Sequence, residues 1–175
     1  MKFSLKNKVA IITGGGRGIG KSISQTFADH GANVFIIDLD ENAKTTVEQI
    51  EAKGGNAKWL NCNVAYRQNV SSAFEEIREE AGKIDILINN AGIAQIGNIE
   101  STTEEDFEKV IQVNVKGVFL CTQAAIPLMK KQNNGAILNL ASVASSLGIP
   151  DRFAYSMSKG AVVAMTLSVA RDYVD

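Results

Sequence analysis

A chain of 175 residues has the length of one domain, so residues 1–175 read as a single unit that buries roughly 70% of the surface its unfolded form exposes. Its 45% hydrophobic and 21% charged content is that of a soluble globular protein, and a formal net charge of −1 gives no electrostatic case for nucleic acid or an anionic membrane. No apolar run reaches bilayer length; Cys62 and Cys121 form no C-x-x-C pair, which points to buried thiols in a reducing cytoplasm, and one His30 without a Cys cluster argues against a metal site.

Taken in chain order, short apolar runs predict strands at 9–12, 34–37, 84–88 and 136–140, with a weaker one at 57–62. The unbroken apolar character of 34–37 suits a strand buried on both faces. Helices are predicted at 18–30, 41–53, 68–81 and 103–131, and from 152 onward. Gly31, Gly54, Gly55 and Gly82 stand where helix C-terminal glycines belong, and His30 suits a capping role. Thr102 as N-cap with Glu105 three residues on forms a capping box, and Pro127 is expected to kink the long segment. This alternation predicts a doubly wound parallel α/β sheet, which binds ligands beyond the carboxyl ends of its strands.

The loop after the first strand, from Thr13 through Gly14, Gly15, Gly16, Arg17, Gly18, Ile19 and Gly20 to Lys21 and Ser22, fits two templates. Gly15, Gly20, Lys21 and Ser22 satisfy the phosphate loop of nucleotide hydrolases and kinases. Thr13, Gly14, Gly18 and Gly20 satisfy T-G-x-x-x-G-x-G, in which glycines let the backbone approach a dinucleotide phosphate at a helix N-terminus. The loop alone does not choose. Asp38 closes the second strand, where an acid accepts from both hydroxyls of an adenine ribose; Asn89, Asn90, Ala91 and Gly92 follow the fourth, and Ser142 follows the fifth. Only the dinucleotide reading uses every strand end.

Tyr155 and Lys159 lie four apart on the last predicted helix and so share one face. A free phenol titrates near pH ~10, so proton exchange at pH 7 needs about 4 kcal/mol toward phenolate. A fixed cation at about 4 Å supplies a similar amount at an effective dielectric of ~20. Lys159 is placed to be that cation.

Thr13-Gly14-x-x-x-Gly18-x-Gly20, Asn89-Asn90-Ala91-Gly92, Asn114, Ser142 and Tyr155-x-x-x-Lys159 together resemble the short-chain dehydrogenase/reductases, from about Lys8 to the last residue. The resemblance implies a Rossmann-like fold and an NAD-dependent oxidoreductase that interconverts a secondary alcohol and a ketone. Tyr155 would exchange the proton with the substrate oxygen, Ser142 would hydrogen-bond that oxygen, Lys159 would bind the nicotinamide ribose, and Asn114 would hold a water linking Lys159 to solvent. Cofactor contacts are expected from Gly14, Gly16, Arg17, Gly18, Ile19, Gly20, Asp38, Leu39, Asn63, Val64, Asn90, Ala91, Gly92, Tyr155 and Lys159, and substrate contacts from Ser142 and Tyr155. Asp38 favours NAD by repelling a 2′-phosphate, whereas Arg17 would attract one, which keeps NADP as the less favoured cofactor. Asn63-Val64 stands where many members have Asp-Val; its amide oxygen still accepts from an adenine amino group.

The family continues beyond this length with two further strands and a helical segment that completes the substrate lid. The chain is therefore expected to be part of a longer protein, with the fifth strand left as an exposed edge. A non-catalytic dinucleotide-binding module is the second reading, and a phosphate-loop NTPase or kinase the third. The resemblance also implies a homo-oligomer, dimer or tetramer, built on the long helices. The substrate is a small alcohol or ketone, with a sugar, polyol, steroid, hydroxy acid or ketoacyl group all open.

Overall fold

The computed structural model describes residues 3–174. Among them, five parallel strands, β1 (Val9–Thr13), β2 (Asn33–Asp38), β3 (Asn56–Asn61), β4 (Ile86–Asn89) and β5 (Ala136–Asn139), lie in the order β3-β2-β1-β4-β5. They alternate with α1 (Gly18–Asp29), α2 (Ala43–Glu51), α3 (Arg67–Ala81), α4 (Glu104–Ile111), α5 (Gly117–Gln132) and α6 (Phe153–Asp172). The doubly wound, Rossmann-like sheet predicted from the alternation is the one observed.

The continuous apolar strands follow from burial on both faces. Successive side chains of β2 point to opposite sides. Val34 and Ile36 pack with Ala10, Ile12, Ala28 and Ile50 beneath α1 and α2. Phe35 and Ile37 pack with Ile11, Phe74, Ile77 and Leu120 beneath α3 and α5. Each such side chain contributes about 1.5–3 kcal/mol by leaving water. Gly82 ends α3 in the left-handed region (φ 67°), and His30 closes α1 with Nδ1 2.8 Å from the Thr26 carbonyl oxygen.

Three local expectations need correction. Strand β4 begins at Ile86, after Ile84 and Asp85; the Asp85 backbone still bonds Val9 O and Ala136 N (both 2.9 Å), and its carboxylate accepts from Val9 N (2.8 Å) and pairs with Lys8 (3.1 Å) and Lys83 (2.9 Å) at the amino end of the sheet. The helix expected at 103–131 is continuous but not regular α-helix throughout: a π-turn at Gln112–Lys116 lies between α4 and α5 with helical backbone on both sides, and α5 runs through Pro127. The N-cap of α4 is Thr103, which accepts from Asp106 N (3.1 Å); the Thr102 hydroxyl is instead spent on the Asn98 carbonyl at 2.7 Å.

The sheet ends on β5, an exposed edge where Leu138 is 54% accessible. Helix α6 packs mainly on α4, the π-turn and a short 3-10 turn (Val143–Ser145), and leaves Leu167 exposed. Among the described residues, no helix is long and apolar enough to cross a membrane.

Candidate active site

Strand order reverses between β1 and β4, and the space beyond the carboxyl ends of these two strands is where doubly wound sheets hold ligands. A cavity of about 880 Å³ opens there, within the range for dinucleotide-sized and drug-sized ligands. Its lining runs from Asp38, Leu39, Asn63 and Val64 at the β2–β3 end, past Gly14, Arg17, Gly18, Ile19 and Gly20, to Asn90, Ala91, Gly92, Tyr155 and Lys159.

Backbone and side-chain bonds stitch the floor of this cavity together. Thr13 Oγ1 accepts from Asn90 N and Ala91 N, both at 3.0 Å. Asn90 Nδ2 donates back to Thr13 O (2.9 Å) and Gly14 O (3.0 Å), joining the ends of β1 and β4. Ser24 Oγ in α1 lies 2.9 Å from Gly20 O and 3.1 Å from Gly15 O, which share its one proton, and Thr46 Oγ1 donates to Gly16 O (2.8 Å). The loop packs so closely that a Cβ on Gly16 would lie 2.6 Å from Ala43 Cβ, and one on Gly20 would lie 2.5 Å from Asn90 Nδ2 and closer still to the Gly14 carbonyl. Backbone atoms and the first amides of α1 are thereby offered to a phosphate. Gly16 shapes the loop from beneath and does not itself line the cavity. Nor does Lys21, the residue that a phosphate loop would aim at its ligand.

The Asp38 carboxylate is fixed in place: Oδ2 accepts from Gly16 N (2.9 Å) and Oδ1 from Asp40 N (3.1 Å). Its remaining lone pairs line the cavity, and Arg17 stands exposed at the rim. Asn63 Oδ1 accepts from Ala65 N (3.0 Å), so one lone pair of the expected adenine acceptor is already used. The glycine cradle, the fixed acid at one end and the amine at the other fit a nicotinamide dinucleotide.

At the far end, α6 brings Tyr155 and Lys159 together, with Lys159 Nζ 5.8 Å from the Tyr155 ring centre. Lys159 is buried, and burial pushes its ammonium pKa below the ordinary value. Nζ donates to the Leu140 carbonyl at 2.6 Å. Ser142 caps the 3-10 turn by accepting from Ala144 N at 3.1 Å, and stands beside the cavity without lining it. Asn114 is buried in the π-turn, where Nδ2 donates to Ile93 O (2.9 Å) and Ser158 Oγ (3.0 Å) and Oδ1 accepts from Ile93 N (2.8 Å). Its side chain is a clamp between the loop after β4 and α6, with both amide protons committed.

Residues that sequence reasoning did not single out also line the cavity, among them Cys62, Ile93, Ala94, Lys109, Val113 and Leu140. Most are apolar residues with no local mark to distinguish them from core. Thr46 likewise carried no signal, whereas Thr13 lay inside the quoted motif. Among the described residues, no group of three His, Cys, Asp or Glu could hold a metal ion.

Residues 8–175 match the family model for short chain dehydrogenase. A relative described as an uncharacterized oxidoreductase, from Thermotoga maritima, is 47% identical over 174 residues, covering 99% of this chain and 68% of the relative. A 3-oxoacyl-[acyl-carrier-protein] reductase FabG of Staphylococcus aureus is 39% identical over 167 residues, covering 94% and 68%. Among solved structures, NAD⁺-bound xylitol dehydrogenase superposes with a TM-score of 0.95 at 32% identity, covering 98% of this chain and 67% of that one. A metagenomic short-chain oxidoreductase in complex with NADP does so with a TM-score of 0.93 at 29% identity, covering 97% and 78%.

Proposed function

The chain belongs to the short-chain dehydrogenase family and is an NAD(P)-dependent oxidoreductase; from that premise we propose that it interconverts a secondary alcohol and a ketone with NAD, Tyr155 carrying the proton. The observation that carries this reading is the polarity of one cavity, a fixed carboxylate at one end and the Tyr155–Lys159 pair at the other. Bound nicotinamide supplies the hydride acceptor or donor. The chain's own residues manage the rest.

Tyr155 is the general acid or base for the substrate oxygen. Ser142 Oγ already accepts from Ala144 N, which leaves its own proton to donate to that oxygen and hold it in line. Lys159 spends one proton on Leu140 O and keeps two for a ribose. Asp38, anchored through both oxygens, receives ribose hydroxyls and opposes a 2′-phosphate by up to about 4 kcal/mol at 4 Å and a dielectric of ~20. NADP binding by one solved neighbour keeps Arg17 as the competing attraction.

Steady-state turnover of a panel of secondary alcohols and ketones, including polyols and ketoacyl thioesters, with NAD and NADP tests this function. NAD is expected to give at least tenfold higher kcat/KM, about 1.4 kcal/mol. Turnover by neither cofactor on any alcohol or ketone, or a clear preference for NADP, overturns the corresponding half of the reading.

A further inference from the structure

Two polar ties join α6 to the carboxyl end of β5. The first is Lys159 Nζ on Leu140 O at 2.6 Å. The second lies two turns further along the same helix face, where Thr166 Oγ1 accepts from Asn139 Nδ2 at 2.9 Å. Asn139 is itself held: it sits in register with Asn89 on β4, and Asn89 Nδ2 donates to Asn139 Oδ1 (2.8 Å) and to Thr122 Oγ1 on α5 (3.1 Å). Thr166 Oγ1 in turn donates to Val162 O at 2.7 Å. A continuous chain of side chains thus runs from α5 through β4 and β5 to the helix carrying Tyr155 and Lys159.

Apolar packing does little of this work between β5 and α6. Leu138 is 54% exposed and Leu167 68% exposed, and Val162 is the one fully buried aliphatic side chain between Lys159 and Thr166. The first tie is shared with the site, since Lys159 spends one proton on Leu140 O and keeps two for a ribose. The second tie serves no group in the site and fixes α6 to β5 alone.

We propose that Thr166, through Asn139, is a positioning residue that, beside the Lys159–Leu140 tie, keeps α6 in register with β5. This rests on the proposed role of Lys159. It assigns Thr166 no contact with cofactor or substrate; it acts through where Lys159 and Tyr155 are held, and misplacement near 1 Å is enough to cost about 100-fold in rate.

The test has two arms. In the cofactor-free protein, hydrogen exchange of α6 amides is compared for Thr166→Val, Lys159→Met and the double variant. Each single change leaves one tie, so exchange is expected to quicken only slightly, whereas the double variant is expected to exchange at least tenfold faster than the two single effects combined, a coupling of about 1.4 kcal/mol. Additive effects overturn the proposal whether or not the chain turns over any substrate. In the second arm, Thr166→Val is expected to lower kcat about tenfold with KM for NAD within about twofold, and Thr166→Ser is expected to restore kcat. A wild-type kcat in Thr166→Val, or no recovery in Thr166→Ser, also overturns it. A wild-type protein inactive on the whole panel sinks the proposed function instead, and the exchange arm still decides this inference.

Discussion

Adding one methyl group at Gly20 separates the role of the loop from the stability of the fold. The new Cβ would sit 2.5 Å from Asn90 Nδ2, where ordinary contact begins at 3.4 Å, and closer still to the Gly14 carbonyl oxygen. Asn90 cannot step aside freely, because Nδ2 is bonded to Thr13 O and Gly14 O. Relief requires losing one or both bonds, at about 1 kcal/mol each. It also requires moving the loop, and overpacking of this kind costs about 1–3 kcal/mol. A ligand that needs the original loop must recover roughly 2–5 kcal/mol, which weakens binding about thirtyfold to several thousandfold. Gly18→Ala is the control: φ is +53° there, but nothing lies within 4 Å, so the cost is about 1–2 kcal/mol of backbone strain with no obstruction. The only tryptophan reports the outcome, since Trp59 Nε1 donates to Asp38 O at 3.1 Å beside the cavity. Titration with NADH, followed by Trp59 quenching and energy transfer, is expected to show severe loss for Gly20→Ala and less than tenfold loss for Gly18→Ala. Equal affinities for Gly20→Ala and the parent would refute the cradle.

Three further outcomes follow from the same geometry. Asp38→Ser removes the anchored charge and is expected to shift the NADP-to-NAD ratio of kcat/KM at least tenfold toward NADP; an unchanged ratio would show that Asp38 does not set preference. At Asp85, burial raises the pKa, but the Val9 amide, Lys83 and Lys8 outweigh it and hold the carboxyl below its ordinary 3.8. A depressed folded pKa gives stability that is present above 3.8 and lost as pH falls through the folded value. Asp85→Asn is therefore expected to cost about 1–3 kcal/mol at pH 7 in urea melts and to flatten the loss of stability below pH ~4, and an equally steep acid transition would contradict it. Burial pushes the Cys62 thiol from 9.0 up to about 11, and Cys121 upward as well. At pH 8, Cys62 thiolate is then about 100-fold scarcer than in the unfolded chain, so iodoacetamide is expected to label denatured but not native protein. Rapid native labelling would place the thiols elsewhere.

Much of the fold was readable because its signals are local. The runs at 9–12 and 34–37 are apolar at every position, as a strand covered on both faces requires, and Gly82 ends α3 where the periodicity stops. The errors arise where a distant partner decides. Thr102 and Thr103 are equally good caps in sequence, but the Asn98 carbonyl captures the Thr102 hydroxyl and leaves the cap to Thr103. The π-turn has no local signature; it coincides with Asn114, whose amide is held by Ile93 and Ser158 from two other segments. In the site, motif residues were legible because glycine, acid and tyrosine stand out against their surroundings. Ile93, Ala94 and Val113 were not, since an apolar residue lining a cavity resembles one filling a core. Ser24 and Thr46 shape the loop through hydrogen bonds that only the folded packing of α1 and α2 creates.

The proposed chemistry is tested most directly by removing one oxygen atom. Tyr155→Phe keeps the ring beside Lys159 and leaves the glycine cradle and Asp38 untouched. With the best alcohol or ketone of the panel, kcat is expected to fall about 10²–10⁴-fold, the range for loss of a positioned acid or base. NADH affinity is expected to stay within about threefold of the parent. Turnover that survives at the parental rate would contradict the assignment of the proton to Tyr155.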